Sequence, residues 1–209
     1  MASDKYAKIK NVLKYHIVDS TALLTFSNPI FSVMETIVSG MSDAESIKSR
    51  ESIAGLTYLG LGYLYGKGRD LSRKIFKIND QTKEKIQYVH DAVYSAAFNA
   101  ALSPLIYHFL AGVDDPRKIA LGTMSTIGYS LLLGAPMGYS VDVLRDLTGL
   151  KKCERKSYQQ IIQNKSSKTK KFIAAGLIAA SIAAMAAVYS LTPDKTHIQQ
   201  SQTLEERIK

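Results

Sequence analysis

Three acidic side chains of this sequence, Asp19, Glu35 and Asp91, fall inside apolar stretches. An ionisable group in hydrocarbon costs about 3 kcal/mol on insertion scales, so it marks a pathway, a coupling site or a structural pair. Glu35 is the deepest and could take up and release a proton as a site opens to either side. Asp19 and Asp91 sit closer to the predicted helix starts, where the helix dipole alone would favour a carboxylate. Arg50 is the charged residue placed to pair with Glu35, or it snorkels to the surface. Nothing here suggests a metal, a cofactor or a catalytic nucleophile. His16, His90, His108 and His197 are scattered and Cys153 is single, so the chain is not expected to be an enzyme.

Polar rows accompany the acids. Thr21, Thr25, Asn28, Ser32, Glu35 and Ser39 recur at steps of four and three, which places them on one narrow helix face. Asp91, Ser95, Asn99 and Ser103 follow one another at steps of four. Pro29 and Pro104 each free a backbone carbonyl in the same region. Such rows form either a passage or interhelical glue, in which each bridge contributes about 0.6–2 kcal/mol. Glu35 tips the reading toward a passage, because a structural seam does not require a carboxylate. The expected lining is Asn28, Ser32, Asn99 and Ser103, with Glu35 coupling and Asp19 and Asp91 in support.

The elements that must position these groups are apolar helices. Residues 17–39, 53–66, 88–113 and 119–141 carry almost no charge, and 172–191 carry none. A spanning helix needs about 20 apolar residues, which the second stretch reaches by extending back toward Arg50. A soluble bundle would show a polar face on every helix, and Phe172–Leu191 offers only Ser181 and Ser190. No small-residue cleavage site follows the basic N-terminus, so the first helix is expected to be retained.

The 209 residues hold 27 Lys and Arg against 18 Asp and Glu, a net charge of +9. Sorted by segment, 20 bases fall in residues 1–18, 67–90 and 140–171, against four in residues 40–52 and 112–118. Basic residues are retained on the cytoplasmic side, which predicts a cytoplasmic N-terminus, with anionic lipid contact as a by-product. No aromatic stacking array or nucleic-acid module accompanies the charges, so no nucleic-acid partner is expected.

Sliding the chain by 72 residues superposes Asp19 on Asp91, Gly40 on Gly112, Asp70 on Asp142 and Arg73 on Arg145, and makes 11 of 55 positions identical. This predicts a duplicated two-helix unit. An even helix count makes the repeats parallel, with a site between the halves. The matched Gly62–Gly66 and Gly134–Gly138 pairs are expected to let the second and fourth helices approach closely. Ser42 to Glu45 reads as a capping box, and Asp114-Asp115-Pro116 as the equivalent start in the second unit.

The string Glu35, Ser39-Gly40-Met41-Ser42, Ser46, Ser49-Arg50, followed by Tyr65-Gly66 and Arg69-Asp70, resembles the signature of the bacterial L-alanine exporter family. Weaker matches around Asp91 and Gly138-Tyr139-Asp142 extend the resemblance from about Val18 to Leu150. It implies a small four-helix inner-membrane protein that exports alanine using the proton motive force. Leu64 departs from the family's proline, whose counterpart in the second unit is Pro136; the fifth helix and tail are additional.

The resulting expectation is an all-α integral membrane protein: a parallel repeat of a two-helix unit, making four transmembrane helices, plus a fifth C-terminal one. The segments are a basic N-terminus (1–16), two repeats (17–77 and 78–150), a basic linker (151–171), the extra helix (172–192) and a polar tail (193–209). The expected partners are a small amino acid, protons, membrane lipids and further copies of the chain, since four helices enclose little volume. The alternative is a structural or interaction protein using Lys151–Lys171 to bind lipid or a partner.

Overall fold

The computed structural model describes residues 2–79 and 81–192, and every regular element among them is helical. The helices are α1 (Ala2–Val33), α2 (Asp43–Leu56), α3 (Gly62–Ile75), α4 (Glu84–Leu105), α5 (Pro116–Leu147), α6 (Gln160–Gln163) and α7 (Ser167–Leu191). Wide π-helical turns prolong α1 over Met34–Val38 and α4 over Ile106–Leu110. A third such turn, Thr57–Leu61, joins α2 and α3 into one kinked rod. The polar tail, 193–209, lies outside the described residues.

Local chemistry sets the ends. Ser42 and Glu45 form the expected capping box at the start of α2, and Asp115 accepts from the Arg117 amide with Pro116 at the first helical position of α5. The kink between α2 and α3 centres on Gly60, whose φ of 149° is open to glycine. α1 covers this break: Ser20 Oγ donates to the Thr57 carbonyl at 3.1 Å and His16 Nε2 to that of Tyr58 at 2.7 Å.

Glycine sets the helix spacing, with a different pairing from the one expected. A Cβ on Gly62 would lie 2.9 Å from the Cα of Ser20, and one on Gly134 would lie 2.8 Å from the Cα of Ala92. A Cβ on Gly66 would meet Asp19, and one on Gly138 would meet Asp91. The glycine pairs therefore seat α3 on α1 and α5 on α4, rather than α3 on α5. The 72-residue offset matches these glycines in sequence, but a match in sequence need not mean mutual contact.

α7 lies against α1 and α5, yet Ala174 is its one buried residue among those described. Its apolar surface therefore faces outward. Three helical segments are long and apolar enough to cross a membrane: Ile9–Val38, Pro116–Leu147 and Ser167–Leu191. The rods Asp43–Ile75 and Glu84–Leu110 carry more polar residues, several of them buried.

Candidate functional site

The buried charges occupy two levels. Near the end formed by residues 67–90 and 140–171, Asp19 accepts from Arg145 Nε at 2.7 Å and from its Nη2. Asp91 accepts from Arg73 Nε at 3.0 Å and from Arg155 Nη2 at 2.8 Å. Asp142 accepts from Arg69 at 2.7 Å and from Arg155 at 2.8 Å. Asp70, half exposed, adds a fourth carboxylate 3.6 Å from Arg145. Four arginines thus face four aspartates, which leaves the layer neutral.

These pairs correct the helix-dipole reading of Asp19 and Asp91. Unsatisfied N–H groups occur only in the first turn of a helix, and α1 already begins at Ala2. Asp19 lies turns inside it and finds a guanidinium instead. Arg73 and Arg145 are 72 residues apart, as are Asp91 and Asp19, so each half's arginine holds the other half's aspartate.

Arg155 was not anticipated from the sequence, where it lay in a basic linker. It is 5% exposed and sits over the Tyr88 and Tyr139 rings. Burial opposes its charge, but Asp142 and Asp91 outweigh that and hold the guanidinium firmly protonated. The same linker turns Cys153 inward, where burial pushes the thiol up to about 11. Tyr158 donates to Asp146 at 2.9 Å.

Glu35 occupies the opposite level and is fully buried. Arg50 grips it bidentately, through Nε to Oε2 at 3.0 Å and through Nη2 to Oε1. Ser46 donates to Oε2 at 2.8 Å and Ser49 to Oε1 at 3.0 Å. Arg50 stacks over Phe31, 5.3 Å from the ring centroid, and its buried Nη1 has no hydrogen-bond partner among the described residues. The turn after Glu35 has a counterpart in the other half. Met41 N bonds to the Glu35 carbonyl at 2.8 Å and Val113 N to the Tyr107 carbonyl at 2.9 Å, while Gly40 and Gly112 take φ values of 67° and 72°. The side chains differ: Tyr107 stands at the position of Glu35 and Gly122 at that of Arg50.

A central cavity of about 60 Å³ lies between these levels, lined by Arg50, Ser27, Asn99, Ser103, Tyr107 and Thr126 among mainly apolar neighbours. A water-sized group needs roughly 10–15 Å³, so the space suits a few such groups. Asn99 and Ser103 line the cavity. Asn28 and Ser32 do not; on α1 the wall is Leu23, Leu24, Ser27 and Phe31. Ser32 turns its hydroxyl back to the Pro29 carbonyl at 2.8 Å. The inward row of α1 is 19, 23, 27, 31 and 35, about 100° round the helix from Asn28. Contact of Asp19 and Ser20 with Gly66 and Gly62 fixes that rotation. Shifted by 72, the row becomes 91, 95, 99, 103 and 107, so the offset itself was the signal that could have found it. Toward the arginine layer the cavity is closed by Tyr65, whose hydroxyl lies 2.6 Å from Ser95 Oγ, backed by Phe98 and Met137. A wider cleft of about 340 Å³ opens beyond, lined by Tyr15, Asp19, Lys67, Asp70, Arg145 and Lys151.

The comparisons with known proteins agree on one family. A family model described as L-alanine exporter matches residues 8–151. A protein of Cronobacter sakazakii named L-alanine exporter AlaE is 26% identical over 135 residues, covering 65% of this chain and 83% of its own. One of Citrobacter koseri with the same name is 25% identical over 136 residues, 65% of this chain and 88% of its own. No solved structure matches. The family's members are transporters, not enzymes, and α7 lies beyond the matched segment. The match covers well over half of the chain and takes in the Glu35–Arg50 pair and all of the lower charge level except Arg155, which shows that this chain belongs to the L-alanine exporter family.

Proposed function

We propose that the chain exports a small zwitterionic amino acid, L-alanine, from the cytoplasm across the inner membrane in exchange for protons. The observation that carries this reading is the buried Glu35–Arg50 pair at the head of a small cavity, with an Arg50 Nη1 that no described residue engages. An ionised Glu35 and Arg50 offer the ammonium and carboxylate of a zwitterion one partner each. Insertion of the substrate replaces one buried ion pair by two and leaves the net charge unchanged. Protonating Glu35 removes the ammonium's partner and expels the substrate. Substrate and proton therefore exclude one another, which is the requirement for antiport. Alanine as the substrate is drawn from the names of the relatives.

In this reading the arginine layer faces the cytoplasm, where the basic loops belong, and the cleft beside Asp19 and Arg145 is the inner vestibule. Asn99 and Ser103 line the route, and Asp19 and Asp91 close it from within as ion pairs. The rods 43–75 and 84–110 span with the three more apolar helices, giving two duplicated hairpins, 17–77 and 78–150, and an added fifth span at 172–192. The repeated π turns, positive-φ glycines and inward rows support that duplication. Further copies of the chain pack on the apolar outer faces, and lipid headgroups meet the basic end. The interaction-protein reading loses support because Arg155, Cys153 and Tyr158 of the linker are turned inward.

Cells loaded with an alanine-containing dipeptide test the proposal. Expression of the chain should raise external alanine and lower the internal pool. If Glu35→Gln leaves export and its proton dependence intact, the coupling role of Glu35 is wrong; if no amino acid leaves at all, so is the transport reading.

A further inference from the structure

Glu35 and the partners that hold it, Ser46, Ser49 and Arg50, are all buried, so a proton reaching Glu35 needs a relay. One further side chain joins the cluster, and it comes from the helix outside the family match. Tyr189 of α7 places its hydroxyl 3.0 Å from Ser46 Oγ, and unlike the other members it is partly exposed. α7 is held in this register at both ends. Lys170 bonds to Asp146 at 2.8 Å near the arginine layer, and Thr192 bonds to Asp43 at 3.1 Å beside Tyr189.

The hydrogen-bond directions follow from the inventory of protons. An ionised carboxylate only accepts, so the single proton of Ser46 Oγ is committed to Glu35 Oε2. Tyr189 must then donate to Ser46, giving a chain Tyr189 O–H to Ser46 O–H to Glu35. Such chains polarise one another and carry a proton without moving a heavy atom far. We infer that Tyr189 is the outer terminus of a proton relay to Glu35, and so a positioning residue for coupling supplied by the added fifth helix. This rests on the reading of Glu35 as the coupling carboxylate. External water delivers a proton to Tyr189 Oη, the tyrosine passes its own proton to Ser46, and Ser46 passes its own to Glu35. The chain then points the other way: Glu35 donates to Ser46 and Ser46 to Tyr189, with no net charge left on either hydroxyl.

The charged and titratable groups facing this path are Arg50 of α2 on Glu35, Tyr107 of the turn after α4 beside Glu35, and Asp43 at the start of α2 beside Tyr189. The Glu45–Lys118 pair, at 3.3 Å, lies on the capping box at the same rim. None of these bonds to Tyr189 Oη among the described residues, so Ser46 is its link to the cluster.

Full-length protein in liposomes separates the possibilities, with alanine transport driven by an imposed pH gradient measured beside alanine–alanine exchange at equal pH. Tyr189→Phe keeps the ring and removes the relay hydroxyl. It should slow gradient-driven transport by about tenfold or more and make it depend more steeply on external pH. Alanine–alanine exchange should stay near the unsubstituted rate. Glu35→Gln should lose the response to the gradient. If Tyr189→Phe transports normally under the gradient while Glu35→Gln does not, the relay is overturned and the role of Glu35 stands. Normal gradient-driven transport in both variants overturns both. Equal loss of exchange and driven transport in Tyr189→Phe assigns the tyrosine to packing and also overturns the relay.

Discussion

The two buried charge levels solve the same electrostatic problem in different ways. In the lower level, four arginines and four aspartates interlock, and Asp91 and Asp142 each draw on more than one guanidinium. In the upper level Glu35 has one cation, Arg50, and neutral serines complete its shell. The halves are matched below, Asp19 with Asp91 and Arg145 with Arg73, and unmatched above, where Tyr107 and Gly122 replace the acid and the base. A network with several partners per charge resists a single proton, whereas a solitary pair is undone by one. The lower level therefore suits holding the halves together, and the upper suits switching.

The largest effect should come from opening the lower level. Asp91→Ala takes a carboxylate from both Arg73 and the buried Arg155 and leaves them to share Asp142, and losing one member of a buried pair typically costs about 3–5 kcal/mol. Little folded protein should survive gel filtration in detergent; a monodisperse variant melting like the parent would erase the contrast between the levels. Glu35→Gln should act the other way, abolishing the pH response of export. Its amide can still accept from Arg50 but does not balance the buried guanidinium, so it should lower stability by about 3 kcal/mol, the low end of the cost of breaking a buried pair, measured by thermal unfolding. Gly134→Ala forces a Cβ against the Ala92 backbone in the contact that sets α4 on α5, and should destabilise by about 1–3 kcal/mol. If it instead raises the melting temperature, that interface is looser than its geometry implies. The smallest effect concerns Cys153. With its thiol raised by burial to about 11, it should label with maleimide at neutral pH only slowly in the folded protein and rapidly once denatured; rapid labelling of the native form would mean the lower level opens readily.

Much of the fold was legible in the sequence because its signals are local. Uncharged runs mark the helices, Ser42 to Glu45 and Asp115-Pro116 mark their starts, and the string from Glu35 to Arg50 marks the family. What escaped depended on rotation and long-range approach. The steps of three and four from Thr21 to Ser39 describe a polar face of α1, but Gly62 and Gly66 on another helix decide which face turns inward, and they select Ser27 over Asn28. Arg155 looked like one more base in a solvated linker, because nothing in residues 151–171 reveals that Asp91 and Asp142 wait beneath it. Tyr189 was hidden within an apolar run, and its hydroxyl matters only once α7 docks at both ends. Arg73 and Arg145 were visible as equivalent positions, but not as partners exchanged between halves.

That exchange has a consequence for biosynthesis. The chain emerges from its N-terminus, so Asp19 is made well over a hundred residues before Arg145 exists to meet it. Asp91 acquires Arg73 early but waits for Arg155. α1 must therefore be held in a provisional state, with Asp19 protonated, hydrated or shielded, until the last turns of α5 arrive. Assembly is timed by the later part of the chain, and a protein truncated before Arg145 would carry an unpaired Asp19 as a mark of incompleteness that quality control can read.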